Sequence, residues 1–228
     1  MSMSYTNALF IIFFLCSGFS SYSQEVFATL GESSVAINHN VTDVYKVNFT
    51  VNSRYYLYRD NDFGFENRQI DLIHFSTLNL AYNQSISLGV QYRIREGIDG
   101  GNNELRFTQQ YNFTERRFAL RFGHRFRLEE RFFNNITFFR TRYRFALDFP
   151  LNGERLDIGE CYVVGSTEAL LSLSKKTNPR IGYRITGQLG WVPSKSLKIQ
   201  GGLEYRFINL NITRSQNLFI LTSAILNI

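Results

Sequence analysis

Two stretches decide the fold: residues 117–128 (RFALRFGHRFRL) and residues 138–149 (FFRTRYRFALDF). In the first, Phe118, Leu120, Phe122, Phe126 and Leu128 alternate with Arg117, Arg121, Arg125 and Arg127. In the second, Phe139, Tyr143, Phe145, Leu147 and Phe149 alternate with Arg140, Arg142, Arg144 and Asp148. Successive side chains of a strand point to opposite faces, so each stretch predicts a strand with one apolar face and one charged face. Residues 86–95 and 197–207 repeat the pattern. Each stretch has about the 9–11 residues a tilted strand needs to cross a bilayer, against about 5–6 for a typical soluble strand. A two-sheet sandwich would leave the arginine face in water along whole strands. A barrel turns it inward and gives the apolar face to lipid.

Weaker alternation places further strands near 45–58, 70–82, 104–113, 158–173, 180–191 and 216–228. The expectation is an all-β transmembrane antiparallel barrel of about ten strands, with twelve as the alternative if one strand has been merged. Residues 26–38 also alternate and would make eleven, but bacterial single-chain barrels have even numbers, so this stretch is read as part of an N-terminal segment, 24–43. Residues 83–85, 114–116 and 192–196 read as short turns, and 59–69 and 97–103 as longer loops. The connection at 150–157 breaks the alternation, being long where a short turn is due. Tyr82, Tyr111, Phe113 and Trp191 sit just before short turns, where an interfacial aromatic girdle would lie, and Tyr56 and Tyr58 end a strand on the other rim.

The start of the chain reads as an export signal over 1–23. Residues 8–15 (ALFIIFFL) are apolar but too short for a spanning helix, which needs about 20 residues. Ser21 and Ser23 supply small side chains before cleavage near Ser23/Gln24, although no basic residue precedes the apolar run. The bulky Leu15 ahead of Cys16 argues against lipidation. Cleavage removes Cys16 and leaves Cys161 as the one thiol, so no internal disulfide is available. The mature barrel then spans 44–228, and its expected location is the bacterial outer membrane, in contact with its lipid and lipopolysaccharide. Phe (22) and Tyr (13) are abundant and Pro (3) is scarce, which favours strands. No later stretch holds about 18 consecutive apolar residues, so any membrane insertion is by strands.

Four short motifs lie along the chain: the Arg140-Thr141-Arg142-Tyr143-Arg144 strand followed by a proline turn, Glu168 within GSTEALL, Arg180-Ile181-Gly182-Tyr183-Arg184 leading to Leu189-Gly190-Trp191, and a G-x-E-Y strand at Gly202-Leu203-Glu204-Tyr205. With the exported start, they resemble an uncharacterised family of outer-membrane barrels, a domain of unknown function common in flavobacteria and their relatives. The resemblance covers most of the mature chain. It implies location and fold and brings no established activity.

Face assignment puts about fifteen basic side chains in the lumen against about five acidic ones, Asp71, Glu104, Asp148, Glu168 and Glu204. The candidate anion-binding wall is Arg121, Arg125 and Arg127 facing Arg140, Arg142 and Arg144, with Arg184 and Arg206 further round. Opposed like charges destabilise a strand pair unless carboxylates or anions intervene. Glu168 and Glu204 are the candidate structural counter-ions. The leading functional expectation is a structural or interaction barrel with an arginine-rich, largely filled lumen. A small anion-selective channel for acidic solutes is the alternative, and an outer-membrane hydrolase the remaining one.

Catalytic signals are weak. The histidines are His39, His74 and His124; Asp71 and His74 lie an odd number of residues apart on one strand and so point apart. No catalytic residue, cofactor motif or metal-ligand spacing emerges. The net charge of +6 belongs to strands behind an export signal, which argues against a nucleic-acid partner. Oligomeric state leaves no trace in the sequence.

Overall fold

A computed structural model describes residues 27–212 and 215–228. The expected signal (1–23) and residues 24–26 lie outside the described residues. Among those described, eleven strands close into one barrel. They are β1 (Phe27–Asn40), β2 (Tyr45–Arg59), β3 (Asp62–Ala81), β4 (Gln84–Ile94), β5 (Glu104–Arg117), β6 (Leu120–Phe132), β7 (Thr137–Pro150), β8 (Cys161–Ser174), β9 (Thr177–Ser194), β10 (Leu197–Ile208) and β11 (Ser215–Asn227). Neighbours in sequence pair antiparallel all the way round.

Closure corrects the expected count of about ten. Residues 27–40 form β1, which pairs antiparallel with β2 and parallel with β11 over Phe27↔Gln216 to Asn38↔Asn227. An odd number of up-and-down strands can close only through one parallel pair. The even-number argument assumed an antiparallel seam. Hydroxyl and amide side chains stitch this seam from outside and inside: Ser33 to Thr222 (2.9 Å) and Asn38 to Asn227 (3.1 Å). The chain order also sorts the two mouths. The N-terminal mouth carries the start of β1 and the connections at 60–61, 95–103, 133–136, 175–176 and 209–212; the C-terminal mouth carries Ile228 and those at 41–44, 82–83, 118–119, 151–160 and 195–196.

Some connections differ from expectation. Residues 59–69 are no loop: Asp60 and Asn61 both take positive φ (55° and 67°), the left-handed pair that a two-residue hairpin turn requires. The paired strands continue beyond it, with the rings of Tyr58 and Phe63, and of Tyr55 and Phe65, 4.9 and 4.6 Å apart. The turn expected at 114–116 lies at Phe118 and Ala119, where Phe118 adopts φ 54° and stands exposed. Outward parity resumes at Leu120.

Burial is inverted relative to a soluble domain. Large apolar side chains such as Phe49, Leu88, Leu128 and Leu203 are exposed on the outer face, while Asp71, Glu104, Arg106, Glu129 and Arg142 are buried inside. A small apolar cluster of Ala28, Leu30 and Phe219, with Tyr56 and Leu221 against it, fills the interior beside the seam.

Candidate functional site: the arginine–carboxylate lumen

Strand alternation aims Arg125, Arg127, Glu129 and Arg131 of β6, and Arg140, Arg142 and Arg144 of β7, into the barrel. Register sets Arg125 opposite Arg144 and Arg127 opposite Arg142, with Glu129 opposite Arg140 and Arg121 opposite Asp148. The opposed arginines expected from sequence are therefore present, but carboxylates separate them. Arg142 donates to Glu129 (2.7 Å) and to Glu168 (2.5 Å). Glu168 also lies within ion-pair distance of Arg125 (3.3 Å) and Arg184 (3.4 Å), from the following strand.

The rest of the layer has the same plan, with one carboxylate per cluster of guanidiniums. Glu104 accepts from Arg106 (2.7 Å), Arg131 (2.6 Å) and Arg93 (3.2 Å). Arg93 in turn donates to Asp71 (2.7 Å). Glu32 takes Arg54 (2.5 Å) and Arg206 (3.3 Å), and Arg206 also donates to Glu204. Arg206 stacks over Phe219 at 3.5 Å, joining the charged layer to the apolar cluster. Arg127 donates to Gln110 (2.9 Å) and lies 5.3 Å over the ring of Phe75. That ring lies flat across Gly89, where any Cβ would collide with it. A carboxylate ringed by several arginines offsets the cost of removing each charge from water, because one buried anion serves several cations.

Three of these partners escaped the sequence reading. Glu129 and Arg131 continue the inward parity of β6 past Leu128, where the expected strand ended too soon. Glu32 lay in the stretch set aside by strand parity. With Glu32 and Glu129 added, the inward carboxylates are more numerous than expected, and the arginines gather round them.

Other expected residues sit apart. Arg121 pairs with Asp148 (2.9 Å) at the C-terminal mouth with its side chain 60% exposed, away from the central layer. Arg140 donates to Ser172 (2.7 Å) and makes no ion pair among the described residues. Arg144 stands opposite both Arg125 and Glu168 in register. Arg95 turns into the β4–β5 loop to hold Asp99 (2.5 Å), and Arg117 pairs with Glu115 (2.8 Å) near the turn.

Two cavities flank the layer and share no lining residue. One of about 570 Å³ opens at the C-terminal mouth among Arg125, Arg144, Asp148, Gln188 and Lys198. The other, of about 260 Å³, lies toward the N-terminal mouth. On the outer face, His74 bonds to Ser76 (3.1 Å) and His124 to Tyr143 (2.9 Å); His39 reaches the carbonyl of Ile228 (3.1 Å) at the rim. Asp71 is buried inside while His74 is outside, so the two do not meet. Among the described residues no group of three or more His, Cys, Asp or Glu side chains stands close enough to hold a metal ion.

No curated protein and no solved structure matches the chain. A family described as "Protein of unknown function (DUF2490)" matches residues 33–217, taking in β2 to β10 entire with nearly all of the arginine–carboxylate layer, and the chain belongs to that family.

Proposed function

We propose that the chain is an outer-membrane β-barrel with a structural or interaction role, whose lumen is closed by the arginine–carboxylate layer. One observation carries the closure: the side chains of Glu129 and Glu104 are 0% and 1% exposed, each surrounded by arginines from several strands. A continuous water-filled passage would leave such carboxylates wet. The membrane part rests on the inverted burial. An apolar outer surface of this extent exceeds what a soluble monomer exposes, and aromatic side chains near both rims suit the two interfaces. Its partners are then outer-membrane lipid and lipopolysaccharide, reached after removal of residues 1–23.

The test has two parts. The mature protein should fractionate with outer membrane, run faster on gels unheated than boiled, and give no conductance in planar bilayers. Recovery as a soluble periplasmic monomer overturns the membrane reading, and steady conductance overturns closure.

A second reading, a small anion-selective passage for acidic solutes, is favoured by the basic cavities on both sides of the layer. It requires the layer to part. Anion-selective conductance that changes in Arg142→Gln would support it over the closed barrel.

A further inference from the structure

The cavity at the N-terminal mouth has an uncommon lining. Among the described residues, eight arginines border its 260 Å³ and no carboxylate does. Five of them, Arg54, Arg93, Arg131, Arg184 and Arg206, direct their ion pairs to the carboxylates of the central layer. The other three, Arg68, Arg140 and Arg180, make no ion pair among the described residues.

Each of the three is held by something other than a counter-charge. Arg68 sits where the β2–β3 register slips, between the pairs Arg54↔Gln69 and Tyr55↔Asn67. The bulge spends an extra residue to aim that side chain at the mouth. Its guanidinium lies 5.2 Å over the Tyr56 ring, and its Nε is buried with no hydrogen-bond partner among the described residues. Arg140 spends its Nε on Ser172. Arg180 lies 5.4 Å over the ring of Phe138. Stacking on rings fixes guanidinium planes and leaves their N–H edges free to donate.

We infer that this mouth binds a phosphoryl or sulfate group, free in solution or carried as the headgroup of a phosphorylated lipid. Planar guanidiniums match tetrahedral oxyanions with paired hydrogen bonds, and three cations with no ion pair among the described residues, gathered round one small cavity with five more, make a strongly attractive field for a multivalent anion. The volume of about 260 Å³ equals about nine waters at roughly 30 Å³ each, enough for one oxyanion and part of what carries it. The site lies on one side of the closed layer, so binding there needs no passage through the barrel.

The experiment uses the full mature chain folded in zwitterionic detergent, titrated calorimetrically with inorganic phosphate and with sulfate. A parallel arm measures binding to nanodiscs of zwitterionic lipid with and without a phosphate-monoester lipid. Saturable binding should fall by about tenfold or more in Arg68→Gln with Arg180→Gln, the loss expected when charge-assisted hydrogen bonds are removed. Arg117→Gln, which removes the same charge at the opposite mouth, should bind as the parent does. Binding in the first arm identifies a free anion as sufficient; binding confined to the second identifies the headgroup. Should the double variant fail to show the folded gel shift, Arg180→Gln alone carries the test, because that side chain is at the exposed rim. Absence of saturable binding in both arms, or equal loss in Arg117→Gln, overturns the site. The readout is made without a conductance measurement, so its failure is distinct from failure of the closed-lumen reading.

Discussion

Arg142 donates to Glu129 at 2.7 Å although register sets Glu129 opposite Arg140 and Arg142 opposite Arg127. The contact is diagonal across β6 and β7, and it converts two rows of like charge into a linked layer. Glu129 also stands 3.5 Å from Arg106 and 3.7 Å from Arg127, so one carboxylate balances guanidiniums from three strands. Removing it leaves Arg127 without an ion pair among the described residues and takes one of two carboxylates from Arg106 and from Arg142, all three being buried or nearly so. Glu129→Gln should destabilise the barrel by about 3–5 kcal/mol, the cost of breaking a buried ion pair on one side. Urea unfolding in lipid vesicles measures this. In the double variant Glu129→Gln with Arg127→Met, part of the loss should be recovered, since the cation that has no other ion pair among the described residues goes with its partner. Additive losses would mean that the two residues do not interact energetically.

The outer face gives a second prediction. Leu88 is 66% exposed in the middle of β4, among Ile86, Val90 and Tyr92 on the same face. In a bilayer, Leu88→Arg should cost about 2–4 kcal/mol, whereas the same change at Tyr82, in the β3–β4 turn, should cost little. Equal effects at the two positions, or improved stability at Leu88, would indicate that this face meets water. Unfolding midpoints of the two variants in the same vesicles decide it.

The inward faces of β6 and β7 were legible because period two needs only the local sequence. The wall of Arg125, Arg127, Arg142 and Arg144 was named on that basis, and the register sets these four as two opposed pairs, Arg125 with Arg144 and Arg127 with Arg142. Strand ends were not legible. The Glu129-Glu130-Arg131 run looks like a loop to any reading by polarity, yet in a barrel with a charged lumen a polar run can be the strand's inward face. Asp60-Asn61 likewise hid a hairpin, since a two-residue left-handed turn and a loose loop have the same composition. Arg68 was beyond reach for another reason: a bulge breaks parity, and parity was the only tool for assigning faces.

A third prediction concerns pH and the β4–β5 loop, outside the strands. Burial alone would raise the Asp99 carboxyl, but hydrogen bonds from Arg95 and from the Gly101 N–H hold it below the usual aspartate range. A lowered folded value means that its contribution to loop stability is complete above the ordinary aspartate value. It is then lost as pH falls from there through the folded one. Proteolysis at 96–103 should therefore stay slow at neutral pH and accelerate with acidification below the ordinary range, measured with an acid-active protease. Asp99→Asn should be cleaved faster at neutral pH and show little further change on acidification. A parent loop with no acid dependence would show that the Arg95–Asp99 contact does not hold it.

The seam gives the sharpest test of the strand count, because the parallel register of β1 on β11 has no counterpart in a ten-strand closure. Ser33 and Thr222 are direct partners on the outer face, with their hydroxyls 2.9 Å apart. Cysteines there would hold their Cβ atoms close to the spacing a disulfide accepts, about 3.5–4.5 Å. With Cys161 replaced by Ser, the Ser33→Cys, Thr222→Cys protein should cross-link on mild oxidation and migrate as a closed loop after boiling without reductant. Shifting one partner by a single residue, to Ser33→Cys with Ser223→Cys, turns the second thiol into the lumen, since neighbouring side chains point to opposite faces. That pair should stay reduced. Cross-linking of the shifted pair in place of the first would move the register by one residue and send the seam's hydroxyls to the wrong face. If neither pair cross-links, β1 does not close the barrel and the even count returns.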